Sequence, residues 1–150
     1  MESFPAEKLI VRQLVYDSEE YTLELELRDE VLRKPLGRSI YDDNLKTECG
    51  DCHIGAFLDG KLVGVMILTS LNPDEVKMRQ VVVNEAYRNQ NVGTEMVGFA
   101  EKIAKEKGYK SIVLDARRTA AGFYEKLQYE KVSGMFLEIN IPHYKMRKII

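Results

Sequence analysis

The sequence predicts a single α/β domain built on a mixed sheet. Three observations carry that expectation. Strand-like and helix-like periodicities alternate in the order β-α-loop-β-β-β-loop-α-β-α-β-β. Asp59-Gly60 lies between two apolar runs, a strong hairpin signal because both turn residues tolerate positive φ. "SIVLDA", residues 111–116, is almost wholly apolar, as a strand buried on both faces must be. A chain of 150 residues suits one domain, residues 1–150, and buries roughly 68–70% of its unfolded surface. No repeat, linker or low-complexity stretch interrupts it.

The elements follow in order. "LIVRQLVY", Leu9 to Tyr16, is mostly β-branched and apolar and reads as a strand. Asp17-Ser18 offers an N-cap, with Glu19 and Glu20 placed to meet the helix dipole. Leu23, Leu27, Val31 and Leu32 give a helical stripe that runs to Lys34 and stops at Pro35. "PLGRSIYDDNLKTECGD" reads as a loop with at most a short helical turn. The hairpin follows, its second arm running from Lys61 to about Thr69. Val76 to Asn84 is a strand with Val76, Met78, Gln80 and Val82 on one face. Apolar residues at helical spacing mark Gly93 to Lys107 as a helix that Gly108 ends. After the buried strand, "TAAGFYEKL" is a short helix capped by Thr119. "YEKVSGMFLEI" and "PHYKMRKII" are final strands with a break at Pro142.

Composition narrows the function classes. The net charge is −2, with acids and bases mixed along the chain. Nucleic-acid binding needs a basic face or run, and Lys145, Arg147 and Lys148 are too few to make one. No stretch approaches the ~20 apolar residues that span a bilayer, so no membrane partner is expected. The N-terminal run lacks the long apolar core of a signal peptide, so a cytoplasmic location is expected.

"CGDCH", residues 49–53, has the C-x-x-C-H spacing of c-type haem attachment. Haem is attached to that motif outside the cytoplasm, so the motif and the expected compartment conflict. Zinc is poorly served as well: His53 follows Cys52 directly, and only His143 remains as a further imidazole. No metal is therefore expected. A redox pair would open a helix after a strand, whereas this pair precedes a strand. His53 is expected to make a structural hydrogen bond at the start of the hairpin.

The most informative region is "VVVNEAYRNQNVGTEMVGFAEKIA", where a strand passes through a polar loop into a helix. The first amides of that helix are unpaired and carry the positive end of the macrodipole, so an anion such as a pyrophosphate fits there. Gly93 permits close approach, Asn91 accepts left-handed φ, and Arg88 adds a charge-assisted fork. An ordinary helix start beside a solvated arginine fits the same local pattern.

"RNQNVG" is similar to the pyrophosphate loop Q/R-x-x-G-x-G/A of the GNAT superfamily of acyl-CoA N-acyltransferases, with Asn91 where the first glycine is usual. "AAGFYEKLQYEKV" resembles the same family's A-x-x-F-Y-x-K-x-G-F/Y signature, with Gln128 at the glycine and Arg117 at an upstream asparagine. "RDEVLRKPLG" and "EINIPHYKMRK" further resemble a subgroup of undefined substrate that ends in I-P-H-x-x-M. The resemblance implies a mixed, mostly antiparallel sheet flanked by helices, with two central strands splayed apart. It implies acetyl-CoA as cofactor, its pantetheine arm against Val81, Val82 and Val83. Its pyrophosphate would lie on the amides of Arg88, Asn89, Gln90, Asn91, Val92, Gly93 and Thr94, with Arg117 and Phe123 alongside. Tyr124 would protonate the departing thiolate, and a phenol of pKa about 10 keeps its proton at neutral pH.

The family's usual glutamate on the strand before the loop is missing, because that strand offers Arg79 and Gln80, with Glu75 only at its start. His143 and Glu138 are the favoured catalytic candidates for the base, with His53 outside them. The partner implied is a primary amine on a small molecule or a protein, and the resemblance admits a homodimer. A cofactor-binding sensor that has lost catalysis stands as the alternative.

Overall fold

The computed structural model describes residues 8–150. The first seven residues, on which the signal-peptide argument partly rests, lie outside it. In chain order the elements are β1 (Leu9–Leu14), α1 (Glu19–Arg28), β2 (Cys52–Leu58), β3 (Lys61–Asn72), β4 (Glu75–Val83), α2 (Val92–Glu106), β5 (Ser111–Arg117), α3 (Ala121–Lys126), β6 (Glu130–Lys131), β7 (Phe136–Glu138) and β8 (Ile141–Ile149). The strand order is β1-β2-β3-β4-β5-β8-β6, with β7 also paired to β8. β4 and β5 pair parallel, whereas β1 with β2 and β8 with β5, β6 and β7 pair antiparallel. The expected mixed, mostly antiparallel sheet flanked by helices is therefore present. The described residues fall into two compact units, one reaching Ile67 and including Gln80–Phe99, the other made of Leu68–Arg79 and Ala100–Ile150.

In the first unit, β1 and β2 pair over six residues, from Leu9 opposite Leu58 to Leu14 opposite His53. Asp59 and Gly60 turn the hairpin with φ of 49° and 83°, as the turn signal requires. Leu14, Val65 and Val82 form a buried cluster against Leu27, Val31 and Leu32. The opposite side of β3 is built around Gly64, where a Cβ would come within 2.9 Å of Met96 and 3.1 Å of Val92. Only glycine lets α2 approach β3 this closely.

The first helix corrects the expected one. α1 ends at Arg28, a π-helical turn covers Asp29–Arg33, and a tighter turn over Lys34–Leu36 closes on left-handed Gly37. Ser18 precedes the helix but makes no side-chain cap; its hydroxyl donates to the Val15 carbonyl instead. Leu23, taken as part of the apolar stripe, is exposed, while Glu24 and Arg28 are fully buried.

In the second unit, β5 and β8 pair over seven residues, from Ser111 opposite Ile149 to Arg117 opposite His143. Gly108, at φ 89°, closes α2 as expected, with the Tyr109 amide donating to the Ala104 carbonyl. Thr119 is not the cap of α3: it lies inside a short turn over Arg118–Ala120, and Ala120 precedes the helix without a side-chain bond. Nor does Pro142 break the final strand. It is the second residue of β8, opposite Leu137, near a strand start where a missing N–H is tolerated. The stretch expected as one strand from Tyr129 is two short ones, β6 and β7, and a tight turn at Ile139-Asn140, both at positive φ, leads into β8.

Candidate active site

Between β4 and α2 the chain is bent by asparagines. Asn84 caps a single turn, its side chain accepting from the Ala86 amide at 3.0 Å. Asn89 and Asn91 then adopt φ of 66° and 63°, left-handed values that asparagine reaches more cheaply than most residues. α2 starts at once, its first helical bond running from the Glu95 amide to the Asn91 carbonyl at 3.0 Å. Among the described residues, no protein group accepts from the backbone amides of Asn89, Gln90, Asn91, Val92, Gly93 or Thr94. Arg88 is exposed beside them. Six successive unbonded donors at the positive end of a 15-residue helix could hold an anion.

β4 carries a second feature. Its ladder with β5 consists of three pairs, Glu75 with Ser111, Val76 with Ile112 and Lys77 with Val113. β4 continues for six residues beyond Lys77, so the two strands are not zipped along their length. Gln80, past the end of that ladder, has φ of 54°. A left-handed residue inside a strand bulges it and turns its side chain and peptide groups out of register. Val81, Val82 and Val83 follow, Val82 buried in the core cluster and the other two half-buried. Glu75, at the strand start, is occupied: it accepts from Ser111 at 2.9 Å and from Arg147 at 2.9 Å. Burial opposes its ionised form, but those two donors outweigh burial and hold its carboxyl below the usual range.

In the second unit, Tyr124 lies on α3 with its ring buried. The ring meets Phe123 edge-on at 5.0 Å and Tyr129 edge-on at 5.8 Å. Burial pushes its phenol up to about 12, so it is a proton donor throughout the neutral range. Its hydroxyl has no bond to a described residue and is not sealed from solvent. Tyr129 is itself tied down, donating to Glu101 at 3.1 Å while Lys148 pairs with the same carboxylate at 2.8 Å. Gln128, where the resembling motif has glycine, adopts φ of 75°.

His143 is buried opposite Arg117 and stacked on Phe136 at 5.9 Å. Its Nδ1 lies 2.7 Å from the Ile141 carbonyl. A carbonyl only accepts, so Nδ1 carries the hydrogen. Nε2 faces Glu138 at 3.5 Å across the β7–β8 hairpin. The structure thus brings His143 and Glu138 together, although Glu138 itself is exposed. Arg117 and Phe123 are exposed.

Sequence reasoning missed the largest polar feature of the first unit. Arg28 forks onto both oxygens of Glu48, at 2.8 and 2.7 Å, and also donates to Glu24 at 2.8 Å. Tyr21 donates to Glu48 at 2.8 Å. His53 closes the network, with Nδ1 at 2.8 and 3.0 Å from the two Glu24 oxygens and Nε2 at 2.9 Å from the Glu48 carbonyl. Both ring nitrogens therefore face acceptors, which only the imidazolium satisfies. Glu24, Glu48 and His53 have metal-ligand spacing, but the Arg28 guanidinium already stands as their cation. His53 has no ring nitrogen left for haem, and Cys49 is an exposed thiol outside the network, so "CGDCH" serves as a structural junction.

The network predicts a pH dependence. Burial works against the charged ring, but the Glu24 carboxylate, the Glu48 carbonyl and the two glutamate charges outweigh it and raise the His53 pKa above 6.5. A group raised in the folded state stabilises fully below its unfolded value and ceases to do so as pH climbs through the folded value. The thermal midpoint should therefore fall more between about pH 6 and pH 9 in the native chain than in His53→Gln. Parallel curves for the two proteins would show that the ring is not charged.

Residues 13–129 match the family model described as "Acetyltransferase (GNAT) family". The chain is 31% identical over 144 residues to the uncharacterised protein YyaT of Bacillus subtilis, an alignment covering 96% of this chain and 88% of that one. It superposes on an acyl-CoA N-acyltransferase from Pseudomonas aeruginosa with TM-score 0.76 at 24% identity, covering 95% and 99% of the two chains. An aminoglycoside 6'-N-acetyltransferase complexed with coenzyme A gives TM-score 0.79 at 18% identity, covering 93% and 96%.

Proposed function

The chain belongs to the GNAT acetyltransferase family, and on that footing we propose direct transfer of an acetyl group from acetyl-CoA to a primary amine of a small molecule or protein. It is an acyl-CoA-dependent N-acetyltransferase, with acetyl-CoA as co-substrate. The observation that carries the proposal is the run of unbonded amides from Asn89 to Thr94. These donors and Arg88 would take the diphosphate, with Arg117 and Phe123 as further contacts. Val81 to Val83 follow the bulge at Gln80, beyond the short β4–β5 ladder, and would offer peptide groups to the pantetheine amides. Backbone amides would polarise the thioester carbonyl. Tyr124 would donate a proton to the departing sulfur, a role that suits a phenol kept neutral by burial. His143 would take the amine's proton on Nε2, the ring nitrogen not bonded to the Ile141 carbonyl, and Glu138 would hold the charged ring that results. The exposed thiol of Cys49 fits a reducing compartment, and we place the reaction in the cytoplasm.

Incubation with acetyl-CoA and a panel of primary amines tests the proposal, read as thiol release together with acetylated amine by mass. Transfer to at least one amine is expected. Tight acetyl-CoA binding with no transfer across the panel would contradict it and favour a sensor. Tyr124→Phe should lower kcat about tenfold while leaving acetyl-CoA affinity within about twofold. The effect falls below the usual range of roughly 10²–10⁴ for acid catalysis because a thiolate leaves readily without help. Native turnover in that variant removes the acid role.

A further inference from the structure

β4 lacks a carboxylate where the reaction needs one. An amine acceptor of ordinary pKa arrives as an ammonium and must lose a proton before it can attack. Glu75, the one acid on β4, is held by Ser111 and Arg147. A carboxylate nevertheless reaches the bulge of β4 from elsewhere in the chain.

Arg33, at the end of the π-helical turn, is largely buried. One of its nitrogens, Nη2, donates to Asp43 Oδ2 at 2.7 Å and to Gln80 Oε1 at 3.4 Å. Its Nε reaches the other Asp43 oxygen at 3.4 Å, and Nη1 donates to the Leu32 carbonyl. The guanidinium therefore fixes Asp43 and the left-handed residue of β4 about a single nitrogen. Gln80 must turn its oxygen toward Arg33, which leaves its NH2 pointing elsewhere. Asp43 keeps a third of its side chain exposed, and a carboxylate has more lone pairs than this fork consumes. All three residues belong to the same unit as Val81–Val83 and the anion cradle.

We propose that Asp43 is the acceptor-binding carboxylate and that Arg33 is the positioning residue that holds it at the β4 bulge. The inference rests on the acetyl-transfer reading and names its substrate class, a cationic primary amine. Asp43 receives the ammonium and Gln80 contributes a neutral polar contact. An N–H bond of the ammonium breaks, and its proton passes through water to solvent. The freed lone pair forms the C–N bond with the thioester carbonyl carbon. The C–S bond breaks with its electron pair on sulfur, which is then protonated. The π-helical turn explains why the arrangement exists: one extra residue in the turn re-aims the side chains that follow it.

The test uses the full chain labelled with nitrogen-15 and titrated with butane-1,4-diamine at neutral pH, with and without coenzyme A. The Asp43 backbone and Gln80 side-chain amide signals should shift saturably in the native protein and stay still in Asp43→Asn. Failure to bind coenzyme A would count against the acetyl-transfer reading but would leave this titration readable. No saturable shift in the native chain, or the same shift in Asp43→Asn, overturns the proposal. With the amine found by the panel, Asp43→Asn should raise its KM about 10- to 100-fold, the usual cost of removing a charged hydrogen-bond partner. The KM for acetyl-CoA should stay within about twofold, and Asp43→Glu should restore part of the loss. Equal losses for both substrates would mark Asp43 as structural only.

Discussion

Arg28→Ala is expected to lower the thermal midpoint by about 10 °C. The guanidinium is fully buried and neutralises two buried carboxylates, Glu24 and Glu48. Removing it leaves those charges desolvated with only His53 and the Tyr21 hydroxyl to answer them. Breaking a buried ion pair from one side costs about 3–5 kcal/mol, and for a chain of this length each kcal/mol is worth about 2–4 °C. The network also ties three separated segments together: α1 through Glu24 and Arg28, the turn at Glu48, and the start of β2 at His53. The triple variant Glu24→Leu, Arg28→Met, Glu48→Leu is expected to recover much of the loss, because replacing a whole buried ionic cluster by apolar groups is often neutral or stabilising. An unfolding midpoint for Arg28→Ala within about 2 °C of the native value would show that the network is not a buried charge cluster.

Gly93→Val is expected to weaken acetyl-CoA binding about 100-fold while leaving the thermal midpoint unchanged or slightly higher. The added β-branched side chain stands beside the amides that would receive the diphosphate. Loss of two charge-assisted bonds at about 1.5 kcal/mol each gives that factor. Valine is a better helix former than glycine by a few tenths of a kcal/mol, so lost affinity cannot be blamed on unfolding. Titration calorimetry measures the first quantity and a thermal melt the second. Native affinity in this variant would move the anion elsewhere.

The parts legible in the sequence were those set by local rules. Asp59-Gly60 announced its hairpin, Gly108 its helix end, and the β4–loop–α2 segment its passage through a polar loop into a helix. The motif departures proved informative, because Asn91 and Gln128 hold left-handed φ where the resembling motifs carry glycine. The backbone geometry is kept although the side chain differs. What the sequence concealed depends on long-range pairing. Nothing in the local pattern marks Glu24 and Arg28 as buried, and their partners His53 and Glu48 lie 29 and 20 residues away. No periodicity links such positions, and burial of four ionisable groups runs against every composition rule. The π-helical turn was hidden too, since the apolar spacing through Val31 and Leu32 fits an α-helix equally well. Thr119 failed as a cap because a short turn intervenes between β5 and α3. The link between Arg33, Asp43 and Gln80 joins positions 10 and 47 residues apart, again beyond any local pattern.

On the reading proposed above, the free amides opening α2 hold the diphosphate of coenzyme A. Titrating the nitrogen-15-labelled chain with coenzyme A and following its backbone amides tests this most directly. Asn91, Val92, Gly93 and Thr94 should show the largest saturable shifts, and desulfo-coenzyme A, which keeps the diphosphate, should reproduce them. Saturable binding whose largest shifts fall outside residues 88–94 would contradict it.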